Sequence, residues 1–375
     1  MTIATRPVRT PTASVLDADD HEQIVVRQDP RTGLRFIVAV HSTVLGPALG
    51  GMRLKRYAGG LREALEDVMC LARTMTLKAS AAGLHLGGGK AVMIDDGRTD
   101  QREARLEAAA RVIDGLDGAY ITAEDIGTST ADMDYVSRFT RYCVGRSVEH
   151  GGAGDPSPVT AETVFQAIRR GLAAHDGSSE LDGRRIGVVG LGKVGGELAA
   201  RLAGAGAHVV ACDLDLARSE RFADEHHAEL SPSAEGILAM ELDVLAPCAA
   251  GGLIDEALAR SIEAGVVAGA ANNPLTSRAV ARTLMARGIL YVPDFLANCG
   301  GLIHVSGEWY GDGGGIAEAA RIDRAMERLD DAIATAAAEG LTPLEVAERQ
   351  ALERVEAAQS EAAAQRPEPA PPARR

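Results

Sequence analysis

No stretch of this chain approaches the ~18 uninterrupted apolar residues that a membrane-spanning helix needs. The N-terminal residues, MTIATRPVRTPTASVLDADD, hold no apolar run of signal-peptide length. The expectation is a soluble, cytoplasmic protein with no membrane partner. Aromatic residues are scarce at 3%, so the cores must be aliphatic and rich in alanine. Basic charge is short too. Lys and Arg number 39 against 53 Asp and Glu, a net charge of −14, which excludes the broad basic face of a nucleic-acid binder. One anionic ligand stays admissible, because a helix N-terminus and a few lysines hold phosphate locally. Cys70, Cys143, Cys212, Cys248 and Cys299 form no CxxC pair. Their odd number and apolar neighbours predict reduced, buried thiols, and no metal is expected.

Glycine, by contrast, is abundant and clustered. The segment Lys78 to Lys90 reads KASAAGLHLGGGK and sets two lysines on either side of it, the second closing the run Gly87, Gly88, Gly89. Three adjacent glycines predict a bare backbone that a ligand can approach closely, with φ > 0 available. A lysine in such a partly dry place, beside a second lysine, loses its proton more readily than one in water. A phosphate loop fails on spacing: GxxxxGK[ST] needs Gly at 84 and Ser or Thr at 91, where this chain has Leu84 and Ala91.

The 375 residues suffice for two domains with separate cores. Residues 1–20 read as a flexible leader. Gln23 to Arg27 and Leu34 to Val40 form a hairpin signal around DPRTG. GPALGGMR, Gly46 to Arg53, reads as a ligand-facing loop too glycine-rich for a regular element. Leu61 to Lys78 has one apolar helical face, and Lys90 opens a short strand, Ala91 to Ile94. A helix over Arg102 to Leu116 precedes the strand AYITAEDIG, which leaves Asp125 at a strand end. GRSVEHGGAGDPSP, from Gly145, carries four glycines and two prolines and reads as a hinge. Beyond it, short apolar strands at Arg185–Val189, His208–Cys212, Asp243–Leu245, Val266–Ala268 and Leu290–Val292 alternate with helices. That alternation predicts a parallel, doubly wound sheet. An alanine- and glutamate-rich helical run after Ile316 breaks at Gly340–Pro343, and the proline-rich end, 361–375, reads as disordered. The fold class is therefore α/β in two domains. Residues 21–148 are expected to form the first domain, 149–315 a Rossmann-type doubly wound domain, and 316–360 helices returning to the first.

The cofactor expectation rests on IGVVGLGKVGGELA. Gly190, Gly192 and Gly195 make GxGxxG between an apolar strand and a helix, and Asp213 ends the following strand. That spacing suits pyrophosphate at the N-terminus of a helix near Lys193 and an acid on the adenosine ribose. An acid there repels a 2′-phosphate, so the cofactor reads as NAD, although Arg218 lies close by. The lysine pair, the glycines and an acid beside a dinucleotide fold suggest redox chemistry on a carboxylate substrate.

Taken together, GPALGG, Lys78, GGGKAV, TAEDIGT with ADMD, GRSVEHGGAGD, GLGKVG, APCA, GAANN and PDFLANCGG resemble the glutamate/leucine/phenylalanine/valine dehydrogenases over about residues 22 to 345. The resemblance implies reversible, NAD-dependent oxidative deamination of an L-amino acid to a 2-oxo acid and ammonia. It implies Lys78 as the carboxylate-binding residue, with Lys90 and Asp125 catalytic. It implies Gly190, Gly192, Lys193, Val194, Gly195 and Asp213 as NAD contacts, and Ala246, Cys248, Asn272, Thr160 and Asn298 around the cofactor's other half. Lys78, facing a carboxylate, is expected to stay charged, while Lys78 and desolvation push Lys90 toward neutrality.

The same resemblance places Gly51, Leu49, Ala123, Leu302 and Val305 at the substrate. Leu49 stands where glutamate-preferring relatives carry lysine, and Ala123 where phenylalanine-preferring ones often carry glycine. Valine, leucine and isoleucine are the expected substrates, a phenylalanine dehydrogenase being the alternative and a non-catalytic NAD sensor the alternative of another class. Met52, Thr163 and Leu302 depart from the family pattern, the first and third expected to reshape the pocket and the second to disturb packing under the nicotinamide. A 2-hydroxy-acid dehydrogenase would use a His–carboxylate pair, and His85, His150 and His304 suggest none. A homo-oligomer is expected, with the N-terminal hairpin offering an edge.

Overall fold

The computed structural model describes residues 20–97, 100–249 and 251–364. The expected leader, apart from Asp20, and the proline-rich end from 365 onward lie outside them. Strands β1 (Gln23–Asp29) and β2 (Leu34–Ser42) form the antiparallel hairpin, Val25 opposite Val38. There follow β3 (Ala48–Lys55), α1 (Gly60–Ala81), β4 (Gly87–Ile94), α2 (Arg102–Asp114), β5 (Tyr120–Glu124) and α3 (Thr130–Val136). The sheet order is β1-β2-β4-β3-β5, with β3 parallel to both β4 and β5. Side-chain alternation along each strand splits the core into two layers. Ile37, Ala39 and Val92 pack on Ala64, Val68 and Ala72 of α1. Phe36, Val38, Met52, Ala91 and Tyr120 pack on Leu106, Ala109 and Ile113 of α2.

Two glycine-rich segments expected outside strands lie within them. GPALGGMR is not a loop: from Ala48 it is the strand between β4 and β5. A side chain at Gly50 would run into the Gly89 carbonyl, and one at Gly51 into the Glu124 carbonyl and Asp125. Strand β4 likewise begins at Gly87 rather than after Lys90, and none of its three glycines has positive φ. The space their side chains would fill is held by protein: the Ser42 carbonyl beside Gly87, the Thr76 backbone beside Gly88, and Tyr120 and Ala48 beside Gly89. They bring α1 and the flanking strands close to β4 rather than opening a path for a ligand.

The second sheet belongs to α4 (Ser157–Asp176), β6 (Arg185–Val189), α5 (Lys193–Gly204), β7 (His208–Cys212), α6 (Leu216–His226), β8 (Glu229–Leu230), α7 (Ala234–Leu238), β9 (Glu241–Pro247), α8 (Glu256–Ala259), β10 (Glu263–Val267), α9 (Arg278–Ala286) and β11 (Leu290–Tyr291). It is wholly parallel, in the order β11-β10-β9-β6-β7-β8. Counted from β6, that is the doubly wound order with its switch point between β6 and β9, where such sheets bind ligands beyond the strand C-termini.

Helices α10 (Asp294–Ala297), α11 (Gly300–Tyr310), α12 (Gly315–Glu339) and α13 (Pro343–Ala364) end the described chain. Gly340, at φ 69°, closes α12, and Pro343 opens α13. Helix α13 returns to α1: Ser80 Oγ donates to Ala351 O at 2.7 Å, and Arg354 donates to the carbonyls of Ser80 and Leu84. It runs to Ala364, so residues 361–364 are helical rather than part of the tail. No described helix is long and apolar enough to cross a membrane.

The five cysteines are free thiols, but not all are buried. Cys143, Cys212 and Cys299 are buried, Cys248 is half-buried and Cys70 is exposed. Cys70 lies two residues from both Val68 and Ala72 on α1, which turns it away from their buried face.

Candidate active site

Because β3 lies between β4 and β5, residues on its α1-facing side touch both neighbours. Lys90 comes from β4, Asp125 from the end of β5, and Arg53 from β3 between them. Lys90 Nζ lies 3.2 Å from Asp125 Oδ2, and Arg53 Nε donates to the same oxygen at 2.8 Å. Arg53 Nη1 donates to Asp67 Oδ2 at 3.1 Å, as does Tyr57 OH at 2.6 Å. The Asp125 backbone is pinned as well: its N–H donates to Thr128 Oγ1, which in turn donates to Met52 O. Gly51, without a side chain, leaves room for Asp125.

Burial pushes the Lys90 ammonium below its ordinary pKa; Asp125 opposes the shift and Arg53 reinforces it. Burial alone would raise Asp125, but Lys90 and Arg53 hold its carboxyl below the usual range. For Arg53 burial works against the charge, yet Asp125 and Asp67 keep it above its ordinary value. The foremost like charge acting on Lys90 is thus Arg53, on the adjacent strand, where the sequence had pointed to Lys78.

Lys78 sits on the last turn of α1, half-buried, with no hydrogen-bond or ion-pair partner among the described residues. Burial pushes it down too, against the pull of Cys299 and Asp294 from the second unit, and Lys90 adds to the downward push. Asp294 is buried and accepts from Asn273 N at 2.8 Å and Tyr291 OH at 2.9 Å. Burial raises its carboxyl despite those bonds.

Leu49, Ala123, Leu302 and Val305 are buried in one apolar cluster. A side chain built on Gly145 would sit 3.8 Å from Val305 and 3.9 Å from Ala123, so these two face one another across the start of the hinge. Met52 cannot reshape this wall. Side-chain alternation puts it on the opposite face of the sheet, against α2. Thr163 fits its surroundings without disturbing them: its hydroxyl donates to Thr160 O and accepts from Gly300 N, joining α4 to the start of α11.

The hinge is tied to α11 by a residue no motif flagged. Glu308 accepts from Gly145 N at 2.8 Å, Ala153 N at 3.1 Å and Arg146 Nε at 2.5 Å. The histidines are less isolated than the sequence implied. His304 lies 2.6 Å from Glu318 and 2.9 Å from Ala153 O, and His150 lies 3.3 Å from Asp134. Both ring nitrogens of His304 are committed to these contacts, so the ring has no nitrogen left for a substrate. Arg53, Asp67 and Tyr57 were also missed. Had GPALGGMR been taken as a strand, Arg53 would have stood out as sharing a face with Gly51.

At the switch point Gly190 has φ 104° and Gly195 packs under it, where a side chain would meet Gly190 O and Cys248. A side chain at Gly192 would meet nothing within 4 Å. Helix α5 starts at Lys193 with no side-chain cap, so its first N–H groups face that space. Lys193 pairs with Asp155 at 3.3 Å, and Val194 is half-buried beside the core. Asp213 accepts from Leu191 N at 2.7 Å and Asp215 N at 2.9 Å. Arg218 pairs with Asp213 and Asp215. Ala246 pairs with Val188 near the end of β9, and Cys248 N donates to Val189 O. Asn298 Nδ2 donates to Ala270 O and Asn272 Oδ1, both at 3.0 Å, while its own Oδ1 is buried with no partner among the described residues. Thr160 caps back onto Pro156 O. No described cluster of His, Cys, Asp or Glu is placed to hold a metal ion.

Comparison with known proteins agrees with this layout. Residues 21–142 match the Glu/Leu/Phe/Val dehydrogenase dimerisation domain, and residues 213–363 match the Glutamate/Leucine/Phenylalanine/Valine dehydrogenase model. Residues 162–245 match the NAD binding domain of D-isomer specific 2-hydroxyacid dehydrogenases. A leucine dehydrogenase of Thermoactinomyces intermedius is 43% identical over 292 residues, 78% of this chain and 79% of the relative. A valine dehydrogenase of Streptomyces albus is 44% identical over 300 residues, 79% of this chain and 81% of the relative. The crystal structure of L-tryptophan dehydrogenase from Nostoc punctiforme superposes with a TM-score of 0.78 at 31% identity, covering 92% of this chain and 98% of the other.

Proposed function

The chain belongs to the Glu/Leu/Phe/Val dehydrogenase family, and from that premise we propose that it catalyses the reversible oxidative deamination of valine, leucine or isoleucine to the 2-oxo acid and ammonia, with NAD as cofactor. The observation that carries the assignment is the contrast between the two lysines: Lys78 is a half-buried cation without a partner among the described residues, and Lys90 is paired with Asp125. Lys78 suits the substrate α-carboxylate, whose charge would offset the downward push of burial. Asp125 suits the amino group, from which it takes a proton. When bound, NAD accepts the hydride leaving Cα. Lys90, pushed toward neutrality, takes a proton from the water whose oxygen bonds to the resulting iminium carbon. Asp125 returns its proton to the nitrogen and takes that of the new hydroxyl as the C–N bond breaks, so that ammonia leaves and the carbonyl of the 2-oxo acid forms.

The NAD contacts are supported by fit. Gly192 opens a cradle at the start of α5, with Gly190, Lys193, Val194 and Gly195 around it, suited to a pyrophosphate. Asp213 suits the ribose 2′-hydroxyl, and Arg218 is already engaged by two carboxylates, which supports NAD over its 2′-phosphorylated form. Thr160, Ala246, Cys248, Asn272 and Asn298 form the other half, where the orphaned Asn298 oxygen suits a carboxamide N–H. Gly51, Leu49, Ala123, Leu302 and Val305 make an apolar wall beside which a buried carboxylate would be costly. The D-2-hydroxyacid match is confined to 162–245, which excludes Lys78, Lys90 and Asp125.

Residues 21–148 supply the substrate, catalytic and oligomerisation domain, 149–315 the NAD-binding domain, and 316–360 the return to the first. The exposed edge of β1 supports a homo-oligomer, to be checked by light scattering, and the free thiols support a cytoplasmic location, to be checked by fractionation.

The test is kcat/KM on valine, leucine, isoleucine, phenylalanine and glutamate with NAD and NADP. The expectation is an aliphatic preference with NAD. A phenylalanine preference would make the enzyme a phenylalanine dehydrogenase, and NAD binding without NADH production from any amino acid would make it a sensor.

A further inference from the structure

We propose that Arg53 is a positioning residue for the reaction: by holding Asp125 Oδ2 alongside Lys90, it leaves Oδ1 as the oxygen that meets the substrate's amino group. This rests on the deamination function proposed above. Asp125 Oδ2 accepts from Arg53 Nε and lies 3.2 Å from Lys90 Nζ, whereas no described residue donates to Oδ1. The Asp125 side chain keeps 19% of its surface exposed, so that oxygen is reachable. Arg53 is itself clamped. Its Nη1 donates to Asp67 Oδ2, which Tyr57 OH also holds. A guanidinium suits this task because its rigid fork meets one carboxylate through Nε and another through Nη1, which an ammonium on a flexible stem does not reproduce.

The same contact tunes Lys90. The charged groups facing Lys90 are Asp125 from the end of β5, Arg53 from β3 and Asp67 from α1. Lys78 stands at the end of α1, with Asp294 and Cys299 beyond it. Arg53 is the cation on the adjacent strand. Without it, Asp125 would hold the Lys90 proton more tightly and would be free to turn Oδ1 away.

The experiment uses full-length Arg53→Gln and Arg53→Lys, compared with wild type and Lys90→Ala. It records kcat and KM for L-leucine with NAD against pH, together with Tm. For Arg53→Gln, kcat falls about 10- to 100-fold, as misplacement of a catalytic group produces. KM stays within about threefold, since Lys78 still anchors the carboxylate. The acid limb of the kcat profile moves to higher pH. For Arg53→Lys the limb stays in place, because the charge is kept, while kcat remains at least about fivefold low because the fork is lost. Wild-type kcat in either variant overturns the proposal. So does an Arg53→Gln enzyme whose kcat and Tm fall with the limb unmoved, the mark of a merely structural role. If Arg53→Gln does not fold, kcat of Arg53→Lys decides. Substantial activity in Lys90→Ala would instead strike down the deamination mechanism itself, whereas an inactive Lys90→Ala beside a wild-type-like Arg53→Gln removes Arg53 alone.

Discussion

Lys90 Nζ stands 3.2 Å from Asp125 Oδ2, on a carboxylate oxygen that Arg53 already occupies. Lys78, on the last turn of α1, has no such partner among the described residues. One lysine is therefore held against a carboxylate, and the other is left to meet an anion. Burial lowers the pKa of both. Their roles separate through neighbours rather than through depth.

Lys90→Ala is expected to reduce deamination kcat by at least about 10²-fold, the lower end for loss of a general acid–base group. NAD affinity, measured by NADH fluorescence, stays at the wild-type value. In the wild-type enzyme the acid limb of kcat lies below the ~10.4 of free lysine, because burial and Arg53 favour the neutral form. Activity rises as pH passes upward through that limb. A limb at or above the free-lysine value contradicts the assignment.

Lys78→Ala is expected to raise KM for the amino acid about 10- to 100-fold, matching the loss of one charge-assisted hydrogen bond of about 1.5–3 kcal/mol. Steady-state kinetics decide it, and an unchanged KM removes Lys78 from carboxylate binding.

Gly192→Ala and Gly195→Ala separate cofactor space from packing space. At Gly192 φ is −62° and a methyl meets nothing within 4 Å, so the variant should unfold at the wild-type temperature. NAD affinity should fall at least about tenfold, because the methyl enters the cradle where backbone must approach pyrophosphate. At Gly195 the methyl collides with Gly190 O and Cys248, and Tm should drop. Calorimetry with NAD titration tests both, and equal behaviour of the two variants contradicts the cradle.

Asp132 gives a stability signature that depends on pH. It accepts from Ser129 N at the start of α3 and takes both Nε and Nη2 of Arg102, at 2.8 and 2.6 Å. Burial would raise its carboxyl, but these bonds hold it below the usual carboxylate range. Asp132→Ala should lose about 1–3 kcal/mol at pH 7, from the cap and the charged hydrogen bonds together. Because the folded-state pKa is depressed, this stability is complete above the unfolded pKa of ~3.9 and is lost as pH falls through the lower folded value. Urea denaturation of both proteins between pH 7 and pH 3 should show the difference shrinking toward acid; a constant difference contradicts it.

The linear sequence carried those features whose meaning is local. Arg185–Val189 and His208–Cys212 were legible as strands from unbroken apolar runs, and α5 from the glycines that precede it. Motif spacing likewise marked Lys78, Lys90 and Asp125 before any contact was visible. What it misjudged depended on partners distant in the chain. Gly87, Gly88 and Gly89 suggested open backbone, but the missing side chains make room for Ser42, Thr76, Tyr120 and Ala48. Met52 sat in the right motif on the wrong side of the sheet, since period-two alternation assigns a face only once the segment is known to be a strand. Arg53 closed GPALGGMR without a role, and Asp67 and Glu308 carried no motif. Their function comes from parallel pairing of β3 with β4 and β5, and from the packing of α11 on the hinge. The sequence determined which groups could do the chemistry. Tertiary structure decided which oxygen of Asp125 is held and which charge faces Lys90, because both depend on distances between strands that are neighbours only in the folded sheet.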